Sequence, residues 1–108
     1  MLPEIRKLKS ESWNPGTETI EEIASGPGYY LEHIQSRGDT SDPGFWYDQD
    51  EDEWVVLIHG QASLEFEEGI LELSAGDSLT IKAHQKHRVA STSVDAVWIA
   101  LHARDSNS

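Results

Sequence analysis

The stretch WYDQDEDEWVVLIHGQ, Trp46 to Gln61, places five carboxylates in the six positions 48–53 and then turns into a β-branched apolar run. Like charges at this density serve either a solvated turn that discourages edge-to-edge strand pairing or the rim of a site that holds a cation. The alternation of Asp48, Asp50 and Asp52 imitates the opening of an EF-hand calcium loop. That loop needs Gly at its sixth position and Glu at its twelfth, where this chain has Glu53 and His59, so the calcium-loop reading fails. The chain has no cysteine, which removes disulfides, thiolate metal sites, iron–sulfur clusters and a cysteine nucleophile together. Any metal would have to be held by His, Asp, Glu, Gln or Tyr. A glycine-rich phosphate loop, an HExxH helix and a GxSxG nucleophile elbow are all absent.

The elements that must position these side chains read as strands. NPG at Asn14 to Gly16, GPG at Gly26 to Gly28 and DPG at Asp42 to Gly44 are turn signals that divide the first half of the chain. Between them, YYLEHIQ puts Tyr29, Leu31 and His33 on one face and Tyr30, Glu32 and Ile34 on the other. WVVLIHG and QASLEFEEG read as two strands joined by a tight turn near His59 and Gly60, followed by ILELSAGD, SLTIKA, HRVAS and DAVWIALHA. No helical period is convincing beyond the first dozen residues. This rhythm predicts an all-β sandwich or barrel. At 108 residues the chain suffices for one core, so a single domain over 1–108 is expected, with residues 1–16 as an N-terminal arm. Residues 3–11 are expected as a short helical turn or an edge arm, and ARDSNS as a frayed tail.

Two stretches gain meaning when taken together. Glu53 is followed after six residues by Gly60, and Gly76-Asp77 precedes His87 by way of a short apolar strand and KAHQ. This pairing resembles the two motifs of the cupin family, small jelly-roll barrels also called double-stranded β-helices. In that family the first motif is His-x-His, three or four residues, Glu, six residues, Gly. The second is Gly, five residues, Pro-x-Gly-x-x-His, three residues, Asn. The resemblance covers about residues 44–102 and rests on Glu53, Gly60, Gly76, Asp77 and His87. The chain departs from it where the histidine pair belongs: a four-residue gap puts Trp46 and Asp48 there, a three-residue gap Tyr47 and Gln49. Lys82 stands for the family's proline, His84 for its glycine and Ser91 for its asparagine.

The resemblance implies a divalent ion, iron, manganese, nickel or zinc, held by Glu53, His87 and one or two of Asp48, Gln49 and His84. It also implies catalytic roles for Glu53 and His87 in a small-molecule enzyme, of dioxygenase-like or sugar-phosphate isomerase-like chemistry. Trp46 or Tyr47 is expected to line the pocket, and Arg88 to pair with an anionic group of the ligand. Two other readings stand beside this one: a metabolite-binding module without metal, and a metal-free enzyme using His87 as base and Glu53 as acid, its pKa raised by burial. His33 and His102 are expected in packing or surface roles, and His59 exposed beside its turn. The net charge of −12 argues against nucleic acid and anionic lipid as partners. No segment approaches the ~20 apolar residues of a membrane span, and the N-terminus has no signal-like run, so a cytoplasmic location is expected. A strand-rich barrel of this size is expected to form a homodimer.

Overall fold

The structure, a computed structural model, describes residues 1–8 and 16–104. Eight strands are found among them: β1 (Thr19–Gly26), β2 (Tyr29–Gln35), β3 (Asp52–His59), β4 (Gln61–Phe66), β5 (Gly69–Ser74), β6 (Ser78–Ile81), β7 (His87–Thr92) and β8 (Val97–Ala103). They pair antiparallel into a five-stranded sheet of order β1-β2-β8-β3-β6 and a three-stranded sheet of order β5-β4-β7. The expected strands are therefore present, folded as an all-β jelly roll. No helix among the described residues is long and apolar enough to cross a membrane.

Residues 1–8 form no regular element, and Arg6 fastens them along the β1 edge. Its guanidinium donates to the carbonyls of Glu22 at 2.7 Å and Ile23 at 3.0 Å, and to the Glu21 carboxylate at 3.1 Å. Part of the first turn (Asn14 and Pro15), the end of the segment expected as a helical turn or arm, and the tail after Arg104 lie outside the described residues.

Period-two alternation sends one face of each strand into the space between the sheets. On β3 these are Glu53, Val55 and Leu57, on β4 Ala62, Leu64 and Phe66, and on β8 Trp98, Ala100 and His102, all buried. Val55, Leu57, Leu64, Phe66, Leu73, Ile81 and Trp98 supply most of the apolar core. The same inward rows become polar at one end. Glu53 pairs directly with His102 across β3 and β8, and Phe66 pairs with His87 across β4 and β7. One end of the apolar sandwich thus finishes in carboxylates and imidazoles, which is where chemistry can occur.

Gly60 lets the chain pass from β3 in one sheet to β4 in the other within one residue. Its φ is +85°, and an added Cβ would meet Asp95 Oδ1 and Ala96 Cα, both at 2.9 Å. Gly76 also has a left-handed φ, +97°, but faces open space. Gly60→Ala is therefore expected to cost about 1–3 kcal/mol or more and Gly76→Ala less, since both lose backbone freedom but only the first meets atoms. Urea denaturation of the two variants checks this, and equal losses would refute the packing contribution at Gly60.

Candidate functional site

The polar end of the sandwich opens into a cavity of about 120 Å³. Its walls are apolar in the depth, with Ile34, Val55, Leu64, Ile81, Val89 and Trp98, and its polar groups are Glu18, Glu32, Ser36, Tyr47, Gln49, Glu53, His87 and His102. Glu53, Glu32 and His102 come from the five-stranded sheet, and His87 faces them from the three-stranded one.

Glu53 is 8% exposed. His87 Nε2 lies 3.7 Å from its Oε1, and His102 Nε2 4.0 Å from its Oε2. Burial pushes its pKa above the usual carboxylate range; the two histidines pull it down and the charges of Glu32 and Glu51 push it up further. The net direction is upward.

His87 is held in one orientation. Its ring lies between Tyr47, with centroids 5.3 Å apart, and Phe66, at 6.1 Å. Its Nδ1 lies 3.0 Å from the Gln85 carbonyl, which can only accept, so Nδ1 carries the proton. In the neutral ring Nε2 then presents a lone pair toward Glu53. Two bare acceptors cannot face each other stably, so the pair calls for a proton between them.

His102 stacks on Tyr30, with centroids 4.4 Å apart and planes 9° from parallel, and its Nε2 donates to Glu32 Oε1 at 2.9 Å. Its Nδ1 is buried without a hydrogen-bond partner, 3.9 Å from Glu51 Oε1. Burial by itself would lower the His102 pKa, but the Glu32 hydrogen bond and the charges of Glu53, Glu32 and Glu51 outweigh it and raise the net value. The Tyr30 hydroxyl donates to Glu51 at 3.0 Å.

The segment leading into β3 runs beside the start of β7. Tyr47 N–H donates to the His87 carbonyl at 2.7 Å, and His87 N–H to the Tyr47 carbonyl at 3.2 Å. Tyr47 and Gln49 line the cavity, while Trp46 is half-buried and Asp48 exposed, both outside the lining. The three-residue gap before Glu53 is thus the register that faces inward. Burial, then the charges of Glu18 and Glu53, push the Tyr47 phenol up, so it stands as a neutral O–H.

The structure brings Glu53, His87, Tyr47 and Gln49 together and leaves Asp48, His84, Trp46 and Arg88 elsewhere. Asp48 and His84 pair with each other on the surface at 2.8 Å, a contact that raises the His84 pKa, because His84 takes a left-handed φ of 65° and turns outward. Arg88 has the opposite parity to His87 on β7. It therefore points away from the cavity, bonding Glu65 at 2.9 Å and the Ser41 carbonyl at 3.1 Å. Asp48→Asn and His84→Ala are accordingly expected to change small-molecule affinity by less than about two-fold, read by titration calorimetry.

Sequence reasoning missed His102 and Glu32 as site residues. The signal was parity: His102 shares a face with Trp98 and Ala100 in VWIALHA, and Glu32 shares one with Ile34 in YYLEHIQ. An apolar row that ends in a histidine points that histidine into the same interior.

A two-sheet antiparallel jelly roll with a ligand-sized cavity at one end, walled by residues of both sheets, defines a class of small barrel proteins. The Cupin domain family model matches residues 32–102. This chain belongs to the cupin family. It is similar to a protein from Ralstonia eutropha JMP134 provisionally assigned as a mannose-6-phosphate isomerase, at 38% identity and a TM-score of 0.79, covering 82% of this chain and 86% of that one. KdgF from a Halomonas species shares the fold at 20% identity and a TM-score of 0.71, over 90% of this chain and 88% of that one. A cupin superfamily protein from Desulfitobacterium hafniense DCB-2 does so at 14% identity and a TM-score of 0.73, over 85% and 82%. A search of curated proteins finds no significant match.

Members of this family often bind metal ions. The residues here do not fit the family's ligand set. Its two histidine positions are occupied by Tyr47 and Gln49, a protonated phenol and an amide, leaving Glu53 and His87 as the matching donors. Among the described residues no three His, Asp or Glu side chains converge as a group that could hold an ion.

Proposed function

We propose that this chain is a small-molecule enzyme whose chemistry is proton transfer through the Glu53–His87 pair. The observation that carries the reading is the 3.7 Å approach of His87 Nε2 to a buried Glu53 carboxyl, with His87 Nδ1 committed to the Gln85 carbonyl. Such a pair offers a base at Nε2 and an acid at Glu53, whose pKa burial raises toward that role. A substrate proton taken at Nε2 is matched by one given from Glu53 to another substrate atom. Return of the proton from Nε2 to Glu53 across the pair then restores the site. The balance involves no oxidant and no change in composition, which is the pattern of an isomerisation, tautomerisation or epimerisation.

Tyr47 and Phe66 hold the imidazole plane, and the apolar depth of the cavity keeps bulk water from the pair. The family relationship supports a small-molecule role, and the isomerase assignment of the Ralstonia protein concerns a reaction of the same proton-moving kind. The test is exchange of solvent deuterium into a panel of small α-hydroxy and α-amino carbonyl compounds, followed by NMR. Exchange should persist in excess chelator and fall about 10²- to 10⁴-fold in His87→Ala. Exchange that stops with chelator and returns with a divalent ion would replace this reading with a metal-dependent one. Binding without exchange would leave a carrier.

A further inference from the structure

The charge of the cavity defines what can enter it. Three carboxyl groups, Glu18, Glu32 and Glu53, line it against two imidazoles, and among the described residues no lysine or arginine does. Arg88, Lys82 and Arg37 are committed elsewhere: Arg88 to Glu65, Lys82 to Asp52 at 3.8 Å, and Arg37 to Thr19 at 2.7 Å and Gln35 at 3.2 Å. Glu32 is already engaged with His102, whereas Glu53, its side chain 11% exposed, borders the cavity and has His87 Nε2 at 3.7 Å and His102 Nε2 at 4.0 Å. Glu18 is an exposed residue that also borders the cavity, where partial burial of its carboxyl and then the charges of Asp39 and Glu32 raise its pKa. The apolar part of the wall includes Ile20, Ile34, Leu64, Val89 and Trp98.

We propose that the ligand of this cavity is a small ammonium compound, with the cationic nitrogen toward Glu18 and Glu32 and a compact apolar body against Trp98 and Ile34. The assignment rests on the reading that this cavity is the ligand site, and it specifies the ligand's charge. The Glu18 and Glu32 carboxylates, with no lysine or arginine lining the cavity beside them, repel an incoming carboxylate or phosphate and attract a cation, the more strongly because the apolar walls lower the local dielectric. The size also fits. A cavity of about 120 Å³ is comparable to the ~150 Å³ apolar space that accepts benzene, so a body of roughly six carbon atoms fills it. A phosphorylated sugar, the substrate type in the Ralstonia relative's description, would bring a dianion to a site lined by three carboxyl groups.

The experiment compares three ligands of one shape and three charges, cyclohexylamine, cyclohexanol and cyclohexanecarboxylate, together with mannose 6-phosphate. Binding is followed at pH 7 by NMR of the tryptophan indole N–H signals in the full chain. The amine should bind about 100-fold more tightly than the carboxylate, with the alcohol between them and no shift from the sugar phosphate. Glu18→Gln, at an exposed position, should weaken the amine about ten-fold and leave the alcohol unchanged, and higher salt should narrow the gap. Equal or tighter binding of the carboxylate or the sugar phosphate would overturn the proposal, as would absence of amine binding at tens of millimolar. The outcome is separable from that of the proton-transfer reading. Amine preference without deuterium exchange would refute only the latter, and His87-dependent exchange without amine preference only the former.

Discussion

Glu53→Gln is expected to reduce turnover by about 10²- to 10⁴-fold while raising the melting temperature of the protein. The two effects share one cause. Glutamine keeps the shape of the buried side chain but has no proton to give, so the return step from His87 Nε2 fails. It also has no charge to desolvate. The folded-state pKa of Glu53 lies above its ordinary value of 4.5, and the sign follows from linkage. Below pH 4.5 both folded and unfolded chains carry the proton and the side chain costs nothing. As pH rises, the unfolded chain ionises first, so folding becomes progressively less favourable until the folded value is passed, after which the penalty is constant. The stability gap between Glu53→Gln and the parent should therefore open as pH rises from about 4.5 and then level off in favour of the variant. Melting curves from pH 4 to 9, read by circular dichroism, measure it. A variant less stable than the parent at neutral pH would mean that Glu53 is a net stabilising anion, contrary to its environment.

Trp98→Ala should have the largest effect on folding. Trp98 is 4% exposed, is the second residue of β8, the strand between β2 and β3, and forms part of the cavity wall. Truncation removes a large aromatic group from a packed site, a loss of about 3–5 kcal/mol. It also deprives Ser36 of its partner, because the indole Nε1–H donates to the buried Ser36 hydroxyl at 3.0 Å. Against a typical stability of ~5–15 kcal/mol this leaves a marginal fold, with a melting temperature lower by roughly 15–30 °C. Trp98→Phe keeps most of the ring and should recover the greater part of that loss, separating packing from the hydrogen bond. If the alanine variant lost less than about 1 kcal/mol in urea denaturation, the indole would not be the keystone of this core.

Much of the architecture was legible in the sequence because β structure with one buried face writes itself as alternation, and the turns as Gly and Pro. Glu53 and His87 were legible only through the spacing of two motifs, since nothing local separates Glu53 from Asp50 or Asp52. Its inward direction follows from the parity it shares with Val55 and Leu57. Asp48 and His84 suggested ligands by chemical type, but the direction of a side chain in an irregular segment depends on its backbone path, which spacing does not encode. Arg88 follows an inward histidine on a strand, and that parity turns its side chain outward, toward Glu65. His102 and Glu32 were hidden by distance. Their contact joins residues 70 positions apart through the pairing of β2 with β8, and only the register of that pairing reveals it.

The paired backbone hydrogen bonds between Tyr47 and His87 have an evolutionary consequence. They anchor an extended segment in which one face supplies the cavity wall and the other meets solvent. Between that anchor and β3 lie only Asp48, Gln49, Asp50 and Glu51, exposed or half-buried and outside the apolar core. An insertion or deletion of one residue there would exchange the two faces, turning Trp46 and Asp48 inward in place of Tyr47 and Gln49 while leaving the barrel intact. A lineage could thus trade a neutral wall for an anionic one in a single genetic step, with the scaffold's stability almost untouched.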